Sequence, residues 1–443
     1  MSSAITPDLL PLTAETGPAG LAVGRVPLTE LARRFGTPLF VYDEEHLRQR
    51  CREAVAAFGR DSVAYASKAF LCTAMARLVH EEGLLLDVAS GGELRVALHG
   101  GAPADRIVLH GNNKSDRELR TAVSAGVRHI VVDSFDEMDR IERLHWESGL
   151  PPVRVRLRVA PGVAAGAHEA IRTGGSDSKF GFGLAGGVAS AAVRRTVSSP
   201  AMILDGVHAH VGSQVLRTAE LAAGAAAVAR FACEAGVRGL TVGGGLGVAY
   251  EAGQTVPSFA DWAAGVRAAV RGAGWSGGLT VEPGRSIAAR AGLTLYRVGT
   301  IKRIEGVRTY VGVDGGMSDN PRPALYDGRY EAFLPRCPEA ERPLRARLVG
   351  KHCESGDVLI DDAALPADLR VSDLLATPVT GAYGYAMASN YNKLPRPAVV
   401  FVRDGRARVV VRRETEEDLL RLDADLPPDA DAFPAAGTVA AER

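Results

Sequence analysis

Lys68, in the run Tyr65-Ala66-Ser67-Lys68-Ala69, is the side chain with the most specific chemistry to offer. It follows the short apolar run Val63-Ala64-Tyr65, and an ammonium at the end of a buried strand is costly unless it is paired or chemically used. Partial desolvation would make it a carbonyl-attacking amine. The plainer alternative is a lysine that reaches water or pairs with a carboxylate. Gly243-Gly244-Gly245 follows Leu240-Thr241-Val242; adjacent glycines let backbone N–H groups surround a phosphate, or simply make a tight turn. Glu282, in Glu282-Pro283-Gly284-Arg285, could pair with a protonated ring nitrogen or with Arg158 or Arg285. His210 ends Val207-His208-Ala209-His210 and could stack on a flat ring or be a hydrogen-bonded core histidine. His208 and His210 share a strand face, but no carboxylate or cysteine completes a metal set with them, so no metal is expected. Cys353 lies in the polar loop Gly350-Lys351-His352-Cys353-Glu354-Ser355-Gly356-Asp357 and is either a proton donor and acceptor or an inert packing residue. Arg322, in the Gly/Pro-rich segment 314–326, could clamp a carboxylate with its two-pronged guanidinium or sit idle on the surface.

These residues need a scaffold that gathers them. Eight strand-like apolar runs occur: 63–65, 84–88, 107–110, 129–133, 153–159, 206–211, 239–242 and 279–281. Helical patterns fill most gaps, as in Ala69 to Glu82, with Leu71, Met75, Leu78 and Val79 at helical spacing. The pattern predicts an eight-stranded β/α (TIM) barrel, whose chemistry sits at the carboxyl ends of the strands. Those ends hold Lys68, Ser90, Asn112, His210, the glycine triplet and Glu282 to Arg285, the set that a pyridoxal 5'-phosphate site requires. In many barrels the loops after the last two strands bind phosphate, and here those loops carry Gly243 to Gly245 and Gly284-Arg285.

A chain of 443 residues exceeds one ordinary core. The expected barrel spans residues 38–290. After it come partly alternating strands without intervening helices (295–298, 308–313, 345–349, 399–402 and 407–411), which predict a mostly antiparallel β domain, a barrel or sandwich, over 291–443. The N-terminal segment 1–37 is expected to join it, and the Ala/Pro/Asp-rich tail, 415–443, to be partly mobile. Lys+Arg and Asp+Glu balance at 52 each, so no net field favours nucleic acid or an anionic membrane. No apolar run is long enough to span a bilayer, and the first residues lack the basic and apolar regions of a secretory signal. Five scattered cysteines without a CxxC pair fit a reducing cytoplasm.

Taken together, the segments resemble the diaminopimelate decarboxylases over about residues 25–405. The motifs are Tyr65-Ala66-Ser67-Lys68-Ala69, Asp87-Val88-Ala89-Ser90-Gly91-Gly92-Glu93-Leu94, Lys179-Phe180-Gly181-Phe182-Gly183, His210-Val211-Gly212-Ser213-Gln214, Gly243-Gly244-Gly245-Leu246-Gly247 and Glu282-Pro283-Gly284-Arg285. Ornithine and arginine decarboxylases of the same fold share most of these. Met317 to Tyr326 and Cys353-Glu354-Ser355-Gly356-Asp357 are more specific to the diaminopimelate branch, and Gly381-Ala382-Tyr383-Gly384-Tyr385 completes the match. Phe70 stands where many relatives have Asn.

The resemblance implies roles. Lys68 links to pyridoxal phosphate, His210 stacks on its ring, and Glu282 binds its nitrogen. Ser213, Gly244, Gly245, Gly284, Arg285 and Tyr383 surround the phosphate. Arg285, Arg322, Tyr326, Glu354 and Tyr383 hold the substrate, meso-2,6-diaminopimelate, which loses CO2 to give L-lysine. Cys353 is the implied proton donor; it and Glu354 reach the site from the second subunit of a homodimer. The distal end of the substrate is itself an amino acid, so its site needs both charges: Arg322 for the carboxylate and Glu354 for the ammonium. An ornithine decarboxylase needs only the acidic contact, and buried groups left unpaired reject a wrong substrate. Decarboxylation of D-ornithine, D-lysine, ornithine, arginine or a carrier-bound acyl amino acid is the alternative within enzymes. A pyridoxal-phosphate homeostasis protein is the non-enzyme alternative, against which the long β domain argues.

Overall fold

The computed structural model describes residues 4–162, 178–243 and 245–424. Eight parallel strands form one closed sheet: Ala64–Ala66, Leu85–Val88, Ile107–Leu109, His129–Val132, Val153–Ala160, Met202–His210, Gly239–Gly243 and Gly278–Val281. They pair in chain order, and a parallel bridge between Val63 and Val281 closes the ring, with the Val281 N–H donating to the Ser62 carbonyl at 2.9 Å. This is the expected β/α barrel. Several of its strands read as apolar runs because both faces are covered, one by the lumen and one by helices, whereas Val153–Ala160 alternates with Arg154, Arg156 and Arg158. Leu85–Val88, Ile107–Leu109 and His129–Val132 are buried at every residue.

Local chemistry starts the helices. Ser90, Ser134 and Ser258 accept from the backbone N–H three residues on, and Ser115 does so in a full capping box with Glu118. The first barrel helix, Thr73–Glu81, starts four residues later than the spacing predicts. Ser67–Ala69 forms a separate 3₁₀ turn, and the Cys72 thiol caps the true helix by accepting from the Met75 N–H. Lys68 therefore leaves the strand on its own turn.

The second sheet runs in the order Val358–Leu365, Leu344–Val349, Arg308–Val313, Gly292–Ile304, Leu39–Asp43, Ala398–Arg403, Arg406–Val411, with Leu374–Pro378 also on Gly292–Ile304. Most pairings are antiparallel, as expected. Two are parallel, so the sheet is mixed: Arg308–Val313 with Leu344–Val349, and Leu39–Asp43 with Ala398–Arg403. Both join strands separated by long stretches of chain, which is what a parallel crossover needs. The expected barrel boundary at residue 38 falls just before Leu39–Asp43, whose hydrogen bonds lie in this second sheet. The N-terminal segment bonds to the same part of the molecule: the Leu21 N–H donates to the Pro335 carbonyl and the Gly405 N–H to the Gly24 carbonyl, both at 2.7 Å. The tail beyond residue 424 lies outside the described residues. Among those residues, no helix is long and apolar enough to cross a membrane.

Candidate active site at the mouth of the barrel

The carboxyl ends of the barrel strands converge on Lys68. It is exposed at the mouth, near enough to Asp87, Glu93 and His210 for its charge to act on all three. Burial pushes the Asp87 and Glu93 carboxyls up, and Lys68 opposes this in both. Burial, then the charges of Lys68 and Arg158, hold His210 well below the usual imidazole range, so its ring is neutral.

Glu282 closes the floor of this mouth and is buried, at 6% exposure. Its partners are neither Arg158 nor Arg285. One carboxylate oxygen lies 2.9 Å from His208 Nε2 and the other 3.1 Å from His110 Nε2. Arg158 lies instead 3.7 Å from Asp133 and over the Phe180 ring. Burial works against charge on Glu282, but the two imidazoles outweigh it and keep the carboxyl well below its usual range. His208 thus joins Glu282 and His110 rather than pairing with His210. The three bring potential ligand atoms within 4.8 Å of one another, and Glu282 supplies the carboxylate that a His208–His210 pair lacked.

Gly243 is a glycine for a physical reason. A Cβ there would lie 2.6 Å from Glu282 Oε2 and 2.9 Å from His210 Nδ1, filling the space between the carboxylate and the imidazole. Gly245 is similarly constrained: its Cβ would lie 2.5 Å from Ser213 Cα. Gly244 lies outside the described residues. Arg285 is buried; one of its terminal nitrogens donates to Ser213 Oγ at 3.1 Å and the other to the Tyr250 hydroxyl at 2.7 Å. Among the described residues, its Nε and the neighbouring Ser286 Oγ are buried without a partner. A cation, hydroxyls and glycine-lined backbone at the ends of the last two strands are the donor set that a phosphate takes. Tyr383 arrives from the second domain. Its N–H donates to the Ala69 carbonyl at 2.8 Å, and its ring lies 4.7 Å from the Arg285 guanidinium carbon.

Beside Arg285 a cleft of about 280 Å³ is lined by Gln214, Tyr250, Arg322 and Tyr326, among others. Arg322 is buried at its wall, with its guanidinium carbon 4.1 Å from the centre of the Tyr250 ring and a terminal nitrogen donating to the Tyr330 hydroxyl. Cys353 and Glu354 are not part of this gathering. Both are exposed, on a loop held by Asp357, which accepts from the Met317 N–H at 2.7 Å and the His352 N–H at 2.9 Å.

Sequence reasoning missed His110, Tyr250 and Tyr330. His110 closes a strand-like run and carried that signal; the two tyrosines lie in loops, where only the fold shows their neighbours.

Residues 44–289 match the family model for the pyridoxal-dependent decarboxylase, pyridoxal binding domain. The diaminopimelate decarboxylase of Mycobacterium tuberculosis (strain ATCC 25618 / H37Rv) is 47% identical over 441 residues, covering 95% of this chain and 98% of that one. This chain belongs to the diaminopimelate decarboxylase family. The enzyme of that name from Bacillus subtilis is 44% identical, over 91% of this chain and 95% of its own. Among solved structures, diaminopimelate decarboxylase from M. jannaschii in complex with L-lysine superposes with a TM-score of 0.87 at 32% identity, over 94% of this chain and 98% of that one. Lysine/ornithine decarboxylase from Vibrio vulnificus, at 23% identity and a TM-score of 0.73, shares the fold.

Proposed function

We propose that this protein decarboxylates meso-2,6-diaminopimelate to L-lysine, using pyridoxal 5'-phosphate bound at the barrel mouth. The observation that carries the reading is the gathering of these side chains at one end of the barrel. Lys68, His210 and Glu282 stand at the ends of the barrel strands, and Arg285, three residues after Glu282, lines a cleft walled by buried Arg322. Bound there, the cofactor supplies an electron-accepting ring for the pair released from the Cα–carboxylate bond.

The chain's own residues do the rest. Lys68 would hold the cofactor covalently through its amine. Neutral His210 covers one ring face without adding charge. Glu282 holds a proton on the ring nitrogen. Ser213, Gly244, Gly245, Gly284, Arg285 and Tyr383 receive the phosphate. Arg322 and Tyr326, with Arg285 and Tyr383, orient the substrate, and Arg322 takes its distal carboxylate by a bidentate fork. Glu354 takes the distal ammonium. Cys353 delivers a proton to the carbon that loses CO2.

Because Cys353 and Glu354 are exposed and away from Lys68's neighbours, they serve the mouth of a second copy in a homodimer with two shared sites. We place the protein in the cytoplasm, where its five free cysteines stay reduced.

The test is direct. Purified protein loaded with pyridoxal 5'-phosphate should release CO2 and L-lysine from meso-diaminopimelate, and turn over ornithine or D-lysine slower by orders of magnitude. Equal turnover of ornithine would reject the distal site, and no CO2 from any of these would reject the reaction.

A further inference from the structure

Glu282 is an ionised carboxylate in a place that should disfavour one. It is 6% exposed, and its neighbours His110 and His208 are 7% and 1% exposed. A buried carboxylate stays charged only when donors replace its lost water. Here one donor and a second polar neighbour come from two further parts of the barrel. His110 follows the third barrel strand and approaches Oε1 at 3.1 Å; His208, in the sixth strand, approaches Oε2 at 2.9 Å. The two rings meet edge-on, 4.9 Å apart at 71°. An ionised carboxylate only accepts hydrogen bonds, so His208 Nε2 carries the proton shared with Oε2; His110 Nε2 lies within ion-pair distance of Oε1 without the alignment of a hydrogen bond. Among the described residues the opposite nitrogen of His208 is buried without a partner, which leaves the Glu282 contact as that ring's one hydrogen bond there. Asp87 Oδ1 lies 3.6 Å from the Nε2 of His110.

We propose that His208 and His110 are positioning residues for the reaction: the Nε2–H of His208 donates to one oxygen of Glu282 while the His110 ring abuts the other, and together they fix the plane of the carboxylate, so that it holds the proton of the cofactor's ring nitrogen. The inference rests on the cofactor and reaction proposed above. Each carboxylate oxygen has a second lone pair, so both imidazoles and the ring nitrogen are served at once. With one imidazole gone, Glu282 is left short of a donor. The cheaper state is then a protonated carboxyl, which no longer stabilises charge on the ring.

The experiment pairs two substitutions at each histidine. His208→Phe and His110→Phe fill similar space without a donor; His208→Gln and His110→Gln keep an N–H. Each holoenzyme is measured by steady-state kinetics and by NMR of cofactor labelled with 15N in the ring. His208→Phe should lose about tenfold to a hundredfold in kcat, the cost of one buried hydrogen bond to a charged group, and His110→Phe a smaller but measurable factor. Their KM should stay within about threefold of the parent, because Glu282 does not touch the substrate's distal end. Their ring-nitrogen resonance should move from the protonated toward the unprotonated position, and Gln should restore much of both. Folded Phe variants with parental kcat and resonance would overturn the proposal, as would Gln variants no better than Phe. If a Phe variant does not fold, its Gln partner decides: a folded Gln variant must keep the protonated-ring signal. A parent whose activity requires an added divalent cation would make the trio a metal site and also overturn it. A parent that binds no cofactor or releases no CO2 would instead fail the proposed function, before any variant is compared.

Discussion

Tyr383 is stacked on Arg285, with the guanidinium carbon 4.7 Å from the ring centre. The tyrosine belongs to the β domain by sequence and to the barrel mouth by contact. Its backbone has φ +59°, a left-handed value that costs a side-chain-bearing residue of order 1–3 kcal/mol. The hydrogen bond to Ala69, next to Lys68, helps hold it there. Tyr383→Ala should weaken cofactor binding about tenfold, consistent with a partly buried cation–π contact of ~1–2 kcal/mol. Fluorescence titration of the apoprotein with pyridoxal 5'-phosphate measures this, and an unchanged dissociation constant would refute the contact's role.

Lys68→Ala should abolish turnover. In the parent, borohydride treatment of the loaded protein should bleach its near-visible absorbance and leave the label on the peptide containing Lys68. A label elsewhere would move the covalent link to another lysine.

Arg322 is gripped by Tyr330 and covers Tyr250. Arg322→Met should raise KM for diaminopimelate by about 10²–10³, because an unpaired charged group in a buried site costs ~2–5 kcal/mol. Tyr330→Phe removes one hydrogen bond and should cost only about tenfold. Steady-state assays with both variants test the order, and a larger loss in the Tyr330 variant would contradict it.

Inactive Lys68→Ala subunits mixed with inactive Cys353→Ala subunits should recover activity. In a dimer with shared sites, one site of each hybrid keeps both residues. Persistent inactivity after subunit exchange is verified would mean that Cys353 does not act across subunits.

Burial is the main force raising the Asp319 carboxyl, to about 7, against a hydrogen bond from the Gly316 N–H. The unfolded chain releases this proton near pH 4, so between about pH 4 and 7 the native state holds more protons and stability falls as pH rises. Asp319→Asn keeps an acceptor for Gly316 and removes the slope. Its stabilisation over the parent should grow from pH 4 to 7, reach on the order of 4 kcal/mol, and then level off. The difference is the useful quantity. Burial holds His46 at about 3, which adds an opposite slope below pH 6.5 to both proteins. Denaturant unfolding at several pH values gives the curve, and a flat difference would show that Asp319 is ionised when folded.

Much of the scaffold was legible in the chain, because barrel strands must be apolar on both faces and such runs stand out. Lys68, His210, Glu282 and the glycines were legible for a related reason: each sits where such a run ends. What the residues could not show was partnership across strands. Glu282 offered Arg158 and Arg285 as partners on charge alone, whereas the register of the sheet delivers His110 and His208. Tyr250 and Tyr330 were illegible because loops have no period from which to read a direction. The parallel pairing of Leu39–Asp43 with Ala398–Arg403 joins residues some 360 positions apart, beyond any local pattern.

That pairing bears on how the molecule can be divided. Leu39–Asp43 lies between Gly292–Ile304 and Ala398–Arg403, so the sheet is stitched by a thread that enters before the barrel exists and is finished only after it. Cutting the chain at residue 44 to release the barrel would take the middle strand from both of its neighbours and leave two raw edges in contact with water. Neither half is a free-standing module, and late-made residues must wait for, and then clasp, a segment made near the beginning.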